Sequence, residues 1–166
     1  MKSMKKLPKE YLQSAMFGFN DALVSTTGVI VGISAGTGNK QIVILAGVVT
    51  ILVEALSMGS GQYLSSKSAH QLDKTDSVKR PLIGGIIMLV SYFLAGLVPL
   101  LAIVLVSPMD LARIVAIAAA LTCLLILGYA KGKIVKVPPL RSALEFFIIG
   151  GVATSIGIIA GKIFAV

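Results

Sequence analysis

Charge is scarce in this chain, and acidic charge scarcest. Of 166 residues only 13% are charged, with 15 Lys and Arg against 7 Asp and Glu. A soluble domain carries about 25% charged residues. There is one Cys, Cys123, which excludes an intrachain disulfide. There is one His, His70, and no apolar segment carries a nucleophile–base set, which argues against an enzyme. Tryptophan is absent, as is any N-x-[ST] acceptor for glycosylation. The chain shows no repeat and no low-complexity tract, and a single domain is expected. What it has in abundance is apolar sequence: 56% of its residues are hydrophobic and its mean hydropathy is +0.95.

That apolar sequence falls into segments each about long enough to cross a bilayer, for which roughly 20 residues suffice. Five spans are expected, at about 11–35, 42–65, 82–106, 111–130 and 142–164, forming one all-α membrane domain over residues 1–166. GTGNK (36–40) and SPMD (107–110) are turns by their Gly and Pro content. Segments 67–81 and 131–141 read as longer charged loops. The phosphate-loop look of GISAGTGNKQ fails, because no G-K-[ST] is present and the segment follows a helix. With five spans, Lys2, Lys5, Lys6, Lys9, Lys67, Lys74, Lys79, Arg80, Lys131, Lys133, Lys136 and Arg141 lie on one side. Only Lys40, Arg113 and Lys162 lie on the other. The positive-inside rule then places the N-terminus in the cytosol. Net charge of +8 is thus explained by orientation rather than by nucleic-acid binding. The basic N-terminus leads into a first span that is expected to be retained.

Most of the acids have ordinary settings. Glu10, Asp73, Asp76 and Asp110 lie in or beside loops, and Glu145 sits in the first turn of the fifth span, where the helix dipole favours it. Asp21 and Glu54 do not. Each lies about ten residues, or ~15 Å, from the basic end of its helix, near the middle of a ~30 Å hydrocarbon core. In an antiparallel hairpin turning near Gly38 they share one depth. A charge there costs at least about 2.5–3.5 kcal/mol, so it marks a functional position. No Lys, Arg or His lies at matching depth, which leaves protons or a cation as partners. Glu54, Met58 and Gln62 follow at four-residue steps and share one helix face. Carboxylate and amide oxygens with a thioether favour Fe²⁺ or Mn²⁺ over Ca²⁺ or Mg²⁺. A methionine in an apolar helix is also ordinary packing, and His70 reads as a solvated loop residue. In the first span Gly18, Asp21, Ser25, Gly28, Gly32 and Gly36 form a small, polar stripe whose glycines permit close helix approach. Ala153, Gly157 and Gly161 form a similar face in the fifth.

FGFNDALVSTTGVIVGISAG followed by EALSMGSGQYLSS resembles the vacuolar iron transporter family. That family has N-D-G-L-like sequence in its first span and S-M-x-x-G-E-[YF]-x-S in its second. The matches here are Asn20-Asp21-Ala22-Leu23 and Ser57 through Ser65. The resemblance is strong over 17–68, and beyond that rests on topology and glycine content. It implies a homodimer of five-helix chains, with the first helices lining a pathway on the two-fold axis. It also implies export of Fe²⁺, often Mn²⁺ too, from the cytosol in exchange for protons, with Asp21 and Met58 in the membrane-embedded metal site. Three features depart from the family: Gln62 replaces its Glu, Glu54 replaces a small residue, and 67–81 is too short for its cytosolic metal-collecting domain.

The expectation is a dimeric five-span antiporter for Fe²⁺ or Mn²⁺ with protons as counter-ion and no resident cofactor. Its site is Asp21, Glu54, Met58 and Gln62, and its dimer face Gly28, Gly32 and Gly36. Its membrane is the cell membrane in a prokaryote or a vacuolar-type membrane in a eukaryote. The competing readings are a pathway for protons or another cation, and a small structural or regulatory membrane subunit whose acids serve only helix contacts.

Overall fold

The computed structural model describes residues 8–73 and 79–165. Lys2, Lys5, Lys6, Lys74 and Asp76 lie outside the described residues. Five helices follow one another: α1 Lys9–Thr37, α2 Lys40–Leu72, α3 Lys79–Leu105, α4 Met109–Val135 and α5 Pro139–Ile163. All five are long and apolar enough to cross a membrane, and the chain is an integral membrane protein.

The helices start and stop on local chemistry. Gly38 ends α1 in the left-handed region at φ 63°, and the Asn39 side chain caps α2 by accepting from the N–H groups of Gln41 and Ile42. Only a residue without Cβ takes that φ at no cost, and Asn is among the best N-caps. One boundary differs from expectation. Segment 67–72 belongs to α2 rather than to a loop, and α2 reaches Leu72. Lys, Ala, Gln and Leu sustain a helix in water as well as in lipid, so falling hydropathy marks the edge of the bilayer and not the end of the helix. The last residues of α4 likewise run to Val135, past the expected span end.

α1 is the central helix and packs on all four others, while α2, α3, α4 and α5 form an arc in which each contacts the next. α2 and α5 share no substantial contact, so the arc stays open there. Two apolar clusters fill the interior, one around Ile30, Ile51 and Ile103 and one around Leu23, Tyr92 and Leu124.

The small-residue stripe of α1 is divided between two neighbours. A methyl group on Gly18 would come within 2.8 Å of the Met88 carbonyl oxygen of α3. On Gly32 it would come within 2.7 Å of the Gly157 carbonyl oxygen, and on Gly36 within 2.7 Å of that of Gly161. Within one chain the closest approach of the Gly28–Gly32–Gly36 face is to α5, because two small-residue faces at matching heights bring their backbones together.

The ends of the bundle are chemically distinct. At one, the Lys40 ammonium donates to the Val106 carbonyl oxygen at 2.9 Å. The Arg113 guanidinium there donates to the Ser34 hydroxyl at 2.8 Å and to its carbonyl oxygen at 2.9 Å. Both cations meet carbonyls at helix C-termini, where the dipole is negative. At the other end lie Lys9, Lys67, Lys79, Arg80, Lys131, Lys133, Lys136 and Arg141.

Candidate metal pathway

Asp21 and Glu54 are half-buried, on α1 and α2, and close enough to repel one another. Among the described residues neither forms an ion pair; the three that form hold Asp110 and Glu145 to basic partners near the helix ends. The two carboxylates are near neighbours on adjacent helices, and no ion pair among the described residues joins either to a cation.

α3 supplies a group that sequence reasoning missed. Tyr92 is fully buried, and its hydroxyl lies 2.7 Å from the Ser25 hydroxyl. Ser25 stands one turn beyond Asp21 on the same face of α1. Tyr92 is also within electrostatic reach of both Asp21 and Glu54. The fully buried Thr26 hydroxyl lies on the same side of Tyr92 without closing a well-formed hydrogen bond among the described residues. The available signal was a single tyrosine, beside Ser91, in a mostly apolar span, since a buried phenol normally finds a polar partner.

Met58 is half-buried and packs on the cluster that contains Leu23, Ala55 and Tyr92. Gln62, two turns from Glu54, is turned to its own helix: its amide nitrogen donates to the Ser66 hydroxyl at 3.1 Å. It lies beside Gly84 of α3, which in turn neighbours Ser14 of α1. The structure thus groups Asp21 with Glu54, joins Met58 to the cluster that buries Tyr92, and leaves Gln62 at the basic mouth between α1, α2 and α3. His70, in the last turn of α2, makes a 2.8 Å contact between Nδ1 and the Ser66 carbonyl oxygen.

Among the described residues no three of His, Cys, Asp and Glu converge. A cation held by one chain would take two carboxylates and complete its shell from hydroxyl, thioether, water or a second copy. From Ser25 an apolar groove of about 670 Å³ runs along the α1–α5 seam toward Thr37 and Phe164, floored by Gly28, Gly32 and Gly161. The groove starts one turn from Asp21 and leads away from the basic end.

A family model described as the VIT family matches residues 12–79 and 69–162. The chain is 29% identical over 160 residues to vacuolar iron transporter homolog 3 of Arabidopsis thaliana, covering 89% of this chain and 80% of that protein. It is 24% identical over 216 residues to vacuolar iron transporter 1 of the same plant, covering 93% of this chain and 86% of that protein. VIT-like transporter 1b of Glycine max is 24% identical over 167 residues, covering 89% and 73% respectively.

Proposed function

The chain belongs to the VIT family, and from that premise we propose that it exports Fe²⁺ or Mn²⁺ from the cytosol in exchange for protons. The observation that carries this reading is the neighbouring pair Asp21 and Glu54, unpaired with any cation among the described residues. A carboxylate must be deprotonated to ligate metal, so metal and protons compete for one pair of groups. The ion enters at the basic mouth past Gln62, with the basic end in the cytosol by the positive-inside rule. It rests between Asp21 and Glu54, where two negative charges offset its desolvation. The Met58 thioether biases the choice toward transition metals. Protons from an acidic far side then neutralise the pair and release the ion along the α1–α5 groove.

That groove is open on one side, and its apolar wall does not hold a water column against lipid. A second copy laid across the α1 strip left free between α2 and α5 closes it and adds ligands to a shell that one chain leaves incomplete. The dimer therefore uses the outer edge of this seam, and not the glycine contact buried beneath it.

The test is uptake of Fe²⁺ and Mn²⁺ into proteoliposomes with and without an imposed pH gradient. The wild type takes up metal when the lumen is acid, and Asp21→Asn and Glu54→Gln each abolish uptake while the protein stays folded. Gradient-driven uptake that survives in Asp21→Asn overturns the reading. It would favour a structural role, because Asn keeps the hydrogen bond and loses only the charge.

A further inference from the structure

A polar hollow lies away from the carboxylate pair, at the basic end where α4 hands over to α5. It measures about 260 Å³ and is lined by Lys131, Val137, Pro138, Arg141, Ser142 and Glu145. It is built around a helix start that the chain leaves uncapped. Pro138 is the N-cap of α5 and offers no side-chain hydrogen bond, and Pro139 opens the helix. The N–H groups of Leu140 and Arg141 in this first turn have no intrahelical acceptor, and the helix dipole puts positive potential there. Ser142 supplies an independent sign of a missing ligand. It is 2% exposed and lines the hollow, yet its hydroxyl has no hydrogen-bond partner among the described residues. A buried hydroxyl without a partner is costly, and a protein that merely needed a small residue beside Gly128 could use Ala.

The charge balance favours an anion. Lys131 and Arg141 bring two cations against one carboxylate, and Glu145 holds them loosely, at 4.0 Å and 3.6 Å. Lys133 and Lys136 belong to the same basic turn. Lys131 also borders a neighbouring apolar slot of about 230 Å³, walled by Leu12, Met16, Val135 and Phe146 with Lys9 at its rim. One lysine thus stands between a polar hollow and an oily slot, at the end of a membrane bundle. A free phosphate fills only the first of these; an anionic phospholipid fills both.

We propose that the α4–α5 corner is a binding site for an anionic phospholipid, its phosphate seated at the start of α5 against Lys131, Arg141 and the Ser142 hydroxyl, and an acyl chain in the adjoining slot. Phosphate at a helix N-terminus with flanking cations is a favourable arrangement, and anionic lipid is concentrated on the side to which basic segments orient. Glu145 opposes the ligand and sets the sign of a decisive control.

The experiment is native mass spectrometry of the full chain in detergent, titrated with phosphatidylglycerol or phosphatidylcholine. Phosphatidylglycerol should be retained about tenfold better, and Arg141→Gln and Ser142→Ala should each weaken it about three- to tenfold, the loss expected for one ordinary hydrogen bond. Glu145→Gln should strengthen retention. Arg141 is exposed, so its replacement leaves the fold intact and the readout interpretable. Equal retention of the two lipids, indifference to Arg141→Gln, or weaker binding in Glu145→Gln overturns the proposal. Displacement of the lipid by millimolar inorganic phosphate overturns its lipid assignment.

Discussion

Tyr92 and Asp21 mark opposite limits of inference at the residue scale. Asp21 is conspicuous because a carboxylate ten residues inside an apolar helix needs a reason. Glu54 follows by the same logic, and its nearness to Asp21 comes from the shared hairpin. Tyr92 has no such context, since nothing local says that its ring points at Ser25 rather than at lipid. Its partner lies 67 residues away along the chain. Tyr92→Phe keeps the ring in the Leu23–Leu124 cluster and removes only the hydroxyl, leaving Ser25 unpaired. The expected cost in stability is about 0.5–1.5 kcal/mol, read as a small drop in melting temperature in detergent. If the hydroxyl pair orients groups beside the carboxylates, metal uptake falls well beyond the loss of folded protein. Uptake that merely tracks folded protein would restrict Tyr92 to packing.

At the scale of the helices, glycine carries two different burdens. Gly161 sits against the backbone of Gly32, and α1 and α5 can approach only because neither has a side chain there. Gly151, nearly three turns earlier on α5, has nothing within 4 Å of where a Cβ would sit. Gly161→Val is expected to push the helices apart and cost about 1–3 kcal/mol. Gly151→Ala is expected to raise stability by up to about 1 kcal/mol through helix propensity. Thermal unfolding of both variants in the same detergent checks the pair, and opposite signs are required. The two small-residue stripes were legible in the sequence, but not that they match each other. A stripe records that a close neighbour exists; its identity depends on the order in which five helices pack.

Across the whole molecule, the decisive feature is the opening in the arc around α1. Phe17 is 51% exposed there and lies on the same helix face as Asp21, Ser25 and Gly28. In a Cys123→Ser background, Phe17→Cys should therefore cross-link two copies with a short bifunctional reagent, whereas Ile126→Cys on the outer face of α4 should not. Cross-linking at Ile126 alone would move the dimer axis away from α1 and leave the groove without its second wall. Five membrane helices, the segregation of basic residues and the two acids inside apolar helices all follow from patterns local in the chain, whereas the basic ends of α2 and α4 run past their expected limits. Lipid penalises each charge and each backbone polar group at the place where it stands, so span count and depth are written segment by segment. The pairing of α1 with α5, the Ser25–Tyr92 contact, the turning of Gln62 toward Ser66, and the hollow under Ser142 come from packing. Each depends on which helix faces lie opposite one another, and in a bilayer, where every helix is already apolar on all sides, hydropathy carries no information about that choice.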